Sequence, residues 1–238
     1  RCKEAFRQMA QGRHVGKLVI TLPQQAPPCR IRPDGTYLLV GAFGSLGSRL
    51  QRWFADQGAQ SLLLLGRQLP QPGTEAARNL NALRQQGMQV QALTWEMLPQ
   101  ALRTLPENLP LKGVIHAAGT LRDQRTDAID SQSLQLVLDS KWGVAERLAV
   151  LQKQEPQPWE ELDFEVIFSS IAAGLGSPGQ LVYGAANGAV EGASLNGSAV
   201  APVRLAIQWG PWAGSGMAAG LERRFEAVGL KPLQDEEA

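Results

Sequence analysis

The chain has 238 residues, 44% of them apolar, with 23 Lys plus Arg against 22 Asp plus Glu and a net charge of +1. That length suits one α/β domain, or one domain with a short appendage. The composition excludes a disordered tail or a coiled coil, and the balanced charge makes no electrostatic case for nucleic acid or an anionic membrane.

The chain starts without Met and closes on an acidic run, as expected of a piece of a longer polypeptide. The start RCKEAFRQMA is too polar for a signal peptide, and apolar runs such as Leu62 to Leu65 are far short of a membrane span. Cys2 and Cys29 form neither a disulfide framework nor a zinc cluster, so no metal is expected and a reduced cytoplasmic setting is the default.

In chain order, Arg1 to Gln11 carry a helical pattern, and Val15 to Leu22 read as a strand. Together, residues 1–22 read as a tail. Pro23, Pro27, Pro28 and Pro33 mark residues 23–35 as a linker, because proline at this density continues neither a helix nor a central strand. The domain proper is expected over 36–238.

From Thr36 onward βα units alternate. TYLLV and SLLLLG are short apolar strands, as expected for strands buried on both faces. Helices are expected over Leu46 to Gln57, Glu75 to Gln86, Asp130 to Gln154 and Val182 to Leu195. The remaining strands are MQVQALTW, Gly113 to Ala117, EVIFSS and PVRLAIQW. The fold class is therefore α/β, a Rossmann-like doubly wound parallel sheet with helices on both faces.

The first strand runs into Gly41-Ala42-Phe43-Gly44-Ser45-Leu46-Gly47, a GxxGxxG spacing between strand and helix. Missing side chains let backbone approach a pyrophosphate, and the helix N-terminus offers N–H donors. An ordinary glycine turn is the alternative. The second strand ends in Gly66-Arg67, where an arginine suits a ribose 2′-phosphate, so NADPH is favoured over NADH. A solvated arginine is the alternative there. Small Ala117, Ala118 and Gly119 after the fourth strand let a cofactor lie close. His116 is read as a packed or hydrogen-bonded histidine, not as a base.

Ser170 closes the fifth strand, Tyr183 follows thirteen residues later, and Asn187 lies one helical turn beyond it. These residues carry a family resemblance. The chain resembles a short-chain dehydrogenase/reductase and, more narrowly, the ketoreductase domain of a modular polyketide synthase, from about Thr36 to Leu233. The matching stretches are FSSIAAGLGSPGQLVYGAANGAVEG and WGPWAGSGMA. Ordinary members place a lysine four residues after the tyrosine. Here Asn187 stands there and Lys141 lies in the preceding long helix, the exchange that marks synthase-type ketoreductases.

The resemblance implies an NADPH-dependent reduction of a β-ketoacyl thioester. Tyr183 donates the proton, Lys141 lowers the phenol pKa, Ser170 hydrogen-bonds the carbonyl oxygen, and Asn187 orients Lys141 or a relay water. Departures from the family's glycine motif are Val40 for Thr, Ala42 for Gly and Phe43 for Thr. Gly66 stands where a Ser is common, and Trp95-Glu96 where an Asp holds adenine. These departures point to weakened cofactor affinity. They motivate the alternative, a catalytically impaired structural pseudo-ketoreductase.

By the same resemblance, Asp123 in Leu121-Arg122-Asp123, Leu175 in place of a Trp, and Pro178 imply a B-type enzyme giving the D (3R) hydroxyl. Ala185, where a Pro would mark epimerisation, argues against that activity. Residues 1–22 resemble the end of an enoylreductase domain. The expected partners are an acyl carrier protein bearing the phosphopantetheine-linked substrate, and the neighbouring enoylreductase, dehydratase and structural subdomain of a multifunctional synthase. No nucleic acid or membrane partner is expected. Trp209 to Phe225 resembles a substrate lid, with Met217 and Leu221 facing the acyl chain.

Overall fold

The structure, a computed structural model, describes residues 7, 10, 11, 30–196, 203–213 and 229–234. The expected strand at 15–22, most of the 1–22 tail and of the linker, and Met217 and Leu221 of the lid lie outside the described residues. So does most of the N-terminal helix, of which Arg7 accepts from the Gln11 N–H at 3.0 Å.

The elements alternate as the sequence predicts. They are β1 (Thr36–Val40), α1 (Ser45–Asp56), β2 (Ser61–Leu65), α2 (Glu75–Gln85), β3 (Gln89–Leu93), α3 (Leu98–Arg103), β4 (Leu111–His116), α4 (Ser131–Leu138), α5 (Val144–Gln154), β5 (Phe164–Ser170), α6 (Ile171–Leu175), α7 (Leu181–Asn196) and β6 (Val203–Trp209). All pairings are parallel, in the order β3-β2-β1-β4-β5-β6. The order reverses between β1 and β4, and it is there, beyond the carboxyl ends of the strands, that such sheets open a crevice.

The two-residue period of the strands divides the core. Leu38 and Val40 of β1 join Leu63, Leu65 and Val114 in a cluster with Leu98, Leu102, Leu148 and Trp159 from α3, α5 and the turn before β5. Tyr37 and Leu39 point the other way, to Leu62, Leu64, Phe54, Leu80 and Leu83, under α1 and α2. Two apolar faces on one sheet, each covered by helices, explain why β1, β2 and β4 are wholly buried.

Three local features differ from expectation. The predicted helix over 130–154 forms from Ser131 to Gln154 but is not uniformly α-helical, because residues Asp139–Gly143 make a π-helical turn between α4 and α5. α6 occupies the start of what reads as a glycine loop; Ser170 Oγ caps it by accepting from the Ala172 N–H at 3.2 Å, which offsets the breaking tendency of Gly174. α3, too short for a periodic signal, begins with Pro99 in its first turn.

Candidate active site

The carboxyl ends of β1, β2, β4, β5 and β6 surround one cleft of about 1010 Å³. Its first wall is the glycine-rich turn after β1. Gly41 has φ +83°, and a Cβ there would lie 2.6 Å from the Ala118 backbone beyond β4, so only glycine lets the two strand ends meet. A Cβ on Gly47 would collide with the carbonyl oxygens of Gly41 and Ala42, so this glycine lets α1 pack against the turn. The buried Gln51 fixes the turn by donating from Nε2 to the Ala42 oxygen at 2.6 Å. Gly44 stands at the N-cap of α1 with no side-chain cap, and the first turn holds no acidic residue. A helix start with no acidic side chain beside it presents a favourable dipole to an anion.

All the residues predicted to hold the cofactor line this cleft: Gly41, Phe43, Gly44, Ser45, Leu46, Gly47, Gly66, Arg67, Ala117, Ala118 and Gly119. Arg67 is exposed at the rim. Trp95 and Glu96 line the cleft too, from the turn that follows β3, because the strand stops at Leu93 and does not run on to Trp95. The Arg147 guanidinium sits 5.6 Å from the Trp95 ring centroid, a cation–π contact. The glycine cradle, the uncapped helix start and the arginine at the end of β2 fit a phosphorylated dinucleotide.

On the opposite wall the structure brings together Lys141, Ser170 and Tyr183. Ser170 ends β5, and Tyr183 lies in the first turn of α7. Lys141 belongs to the π-helical turn and is 3% exposed. Its Nζ donates to the Phe168 carbonyl at 2.5 Å. Its stem lies along Gly119, where a Cβ would come within 2.9 Å of Lys141 Cε. Burial lowers the Lys141 ammonium to about 8.

The Tyr183 phenol differs from expectation. Burial pushes its pKa up, opposed by hydrogen bonding with the Ser170 and Asn187 side chains, while Asp123 adds to the rise. The sequence leads one to expect Lys141 to lower it; here the groups that do so are Ser170 and Asn187.

Asn187 does not reach the cleft wall. It is fully buried behind Tyr183 and donates from Nδ2 to the Tyr183 backbone oxygen at 2.8 Å, while its Oδ1 finds no partner among the described residues.

Of the residues expected to steer substrate, Leu175 projects at the mouth and lines the cleft, 73% exposed. Asp123 and Pro178 lie just outside the lining. Asp123 accepts from Gln180 Nε2 at 3.2 and 3.4 Å, and the Gln124 N–H donates to the Gly179 oxygen at 2.9 Å. These bonds tie the loop after β4 to the turn before α7.

Other participants carry no sequence signal of their own. The Phe168 oxygen is a backbone atom. Ser169 donates to Glu191, which also accepts from Gln208 Nε2 at 2.9 Å, a clamp across β5, α7 and β6. Trp209 and Trp212 pack edge to face at 5.1 Å and line the cleft floor. Trp212 pairs with Leu233 in an isolated bridge, and Arg49 of α1 lies over its ring at 5.3 Å. Among the described residues no cluster of three potential metal ligands occurs, and no helix is long and apolar enough to cross a membrane.

Comparison with known proteins agrees with this geometry. The KR domain family matches residues 35–214. The chain is 33% identical over 249 residues to a phenolphthiocerol/phthiocerol polyketide synthase of Mycobacterium tuberculosis, covering 98% of this chain and 11% of that protein. It is 37% identical over 241 residues to the erythronolide synthase EryA2 of Saccharopolyspora erythraea, covering 98% of this chain and 6% of that protein. The chain thus spans about a tenth or less of these relatives. Among solved structures, the first ketoreductase of the tylosin polyketide synthase superposes with a TM-score of 0.74 at 32% identity, over 90% of this chain and 47% of that one. A structure described as that of A-type ketoreductases from a modular polyketide synthase matches with a TM-score of 0.74 at 30% identity, over 92% of this chain and 46% of that one.

Proposed function

We propose, on the premise that this chain belongs to the KR domain family, that it reduces a carrier-bound β-ketoacyl thioester to the β-hydroxyacyl thioester at the expense of NADPH. The observation that carries this reading is the convergence of Lys141, Ser170 and Tyr183 on the cleft whose other wall is the glycine cradle.

Bound there, the nicotinamide cofactor supplies the hydride. The chain's residues supply the rest. The start of α1 would hold the pyrophosphate, and Arg67 would hold the 2′-phosphate. The Ser170 hydroxyl donates to the ketone oxygen and stabilises the charge that develops on it. Tyr183 Oη delivers the proton. Burial keeps the phenol protonated before reduction, and the Lys141 ammonium on the same wall of the cleft favours the phenolate that remains. Asn187, buried and bonded to the Tyr183 backbone oxygen, helps to lower the phenol pKa.

Asp123 and Pro178 support the B-type, (3R) outcome, and Ala185 supports the absence of epimerisation. The substrate arrives on the phosphopantetheine of an acyl carrier protein within a multidomain synthase, beside enoylreductase, dehydratase and structural subdomains, in the cytoplasm. The impaired alternative rests on the bulk of Phe43. It loses weight because that ring packs on Gly66 at the rim. An NADPH titration by fluorescence separates the two: saturable binding supports the reductase, and none supports the impaired form.

A further inference from the structure

We propose that His116 is a positioning residue for Lys141, holding the π-helical turn that carries the lysine through a bond from its imidazole to the lysine's own backbone oxygen. This rests on the role of Lys141 given above.

His116 is the last residue of β4 and is 2% exposed, so it does not touch substrate. Its two nitrogens are both engaged. The Ala118 N–H donates to Nδ1 at 3.3 Å, which leaves the proton on Nε2. Nε2 then donates to the Lys141 oxygen at 3.1 Å. That oxygen also accepts from the Val144 N–H at the end of the π turn, and a carbonyl has lone pairs for both. Burial, with the Lys141 charge nearby, drops the imidazole to about 3, so the neutral tautomer persists.

Single π turns inside helices are local distortions that recur at functional sites. Here the distortion needs an anchor, because the turn could slip back into α-helical register and rotate Lys141 off the cleft. The structure fixes the lysine at three points: its oxygen on His116, its stem on Gly119, and its ammonium on the Phe168 oxygen. The first of these is the only one of the three that acts on the turn's backbone. A buried imidazole is costly unless its nitrogens are satisfied, and an apolar residue would fill the same space without that cost.

Three substitutions separate the bonds. His116→Gln places an amide nitrogen at the reach of Nε2 and keeps the donor to Lys141. His116→Asn keeps a polar group only at the reach of Nδ1. His116→Leu keeps neither. Turnover of a β-ketothioester, NADPH affinity and thermal midpoint are measured for each, beside imidazole ¹⁵N spectra of the wild type.

The Asn and Leu variants are expected to lose kcat on the order of 100-fold, the cost of misplacing a reacting group by about 1 Å. KM and NADPH affinity should change little, the Gln variant should keep most of its kcat, and the spectra should report the Nε2–H tautomer. Equal losses in all three variants, or full kcat in the Leu variant, would overturn the proposal. An Nδ1–H tautomer would overturn the bond itself. A wild type that binds NADPH but never turns over overturns the reductase reading and the catalytic part of this proposal, and is told apart by an intact Nε2–H signature.

Discussion

The Phe43 ring lies across Gly66. A Cβ on Gly66 would come within 2.7 Å of the ring's Cε2 and closer still to Cδ2, so the ring occupies the space that a side chain on Gly66 would fill. The two positions look in sequence like separate losses at the cofactor loop. In the fold they are one packing solution, in which an aromatic side chain from the turn after β1 covers a bare backbone at the end of β2.

This pair should behave as a unit. Gly66→Ala alone overpacks the site and is expected to cost about 1–3 kcal/mol of stability. Added to Phe43→Ala, the same change should cost much less, only the 3.2 Å approach to the Gln68 oxygen remaining, which gives a strong coupling in a double-mutant cycle. Urea unfolding of the four proteins measures it. Additive effects would mean that the ring does not depend on the glycine.

Arg67 should set the choice of cofactor. Removing a charge-assisted contact, as in Arg67→Gln, is expected to weaken NADPH binding about tenfold to a hundredfold. NADH binding should stay unchanged. Fluorescence titrations with both cofactors decide, and an equal loss for the two would place Arg67 away from the 2′-phosphate.

Lys141 makes stability depend on pH with a definite sign. Burial lowers it from 10.5 to about 8 in the folded chain. Between those values the unfolded chain binds more protons than the folded one, so stability rises with pH across that window, and below about 8 the burial penalty is fully present. Relative to Lys141→Met, the wild type should gain on the order of 3 kcal/mol between the two limits. Denaturant melts of both proteins at several pH values test this; parallel curves would mean that the ammonium is solvated.

Asp123 should govern product configuration more than rate. Its carboxylate anchors Gln180 and so ties the loop after β4 to the turn before α7. Asp123→Ala is expected to erode the (3R) excess while leaving NADPH affinity intact. Chiral chromatography of the product reads the outcome, and an unchanged excess would remove Asp123 from stereocontrol.

Much of the sheet was legible because βα alternation and wholly apolar strands leave a strong pattern; TYLLV, SLLLLG and EVIFSS became β1, β2 and β5 with small shifts at their ends. The glycine cradle was legible because Gly41 and Gly47 answer to close backbone approaches that no other residue permits. The π turn was not legible. Residues 130–154 read as one helical pattern, and the contacts that the turn makes through Lys141, to His116 and Gly119, are tertiary. The Phe168 oxygen was hidden for a different reason: main-chain acceptors are the same at every position, and only the fold aims this one at Lys141. The pairing of Phe43 with Gly66 spans two βα units, so no local pattern along the chain marks it.

The most direct test is NADPH oxidation followed at 340 nm with a diketide β-ketoacyl thioester, wild type beside Tyr183→Phe, with chiral analysis of the alcohol. Expected is a (3R) alcohol from the wild type and a fall in kcat on the order of 10²–10⁴-fold in the variant, with NADPH binding preserved. Wild-type rates from the variant would contradict Tyr183 as proton donor. No oxidation by a wild type saturated with NADPH would contradict the reductase activity itself.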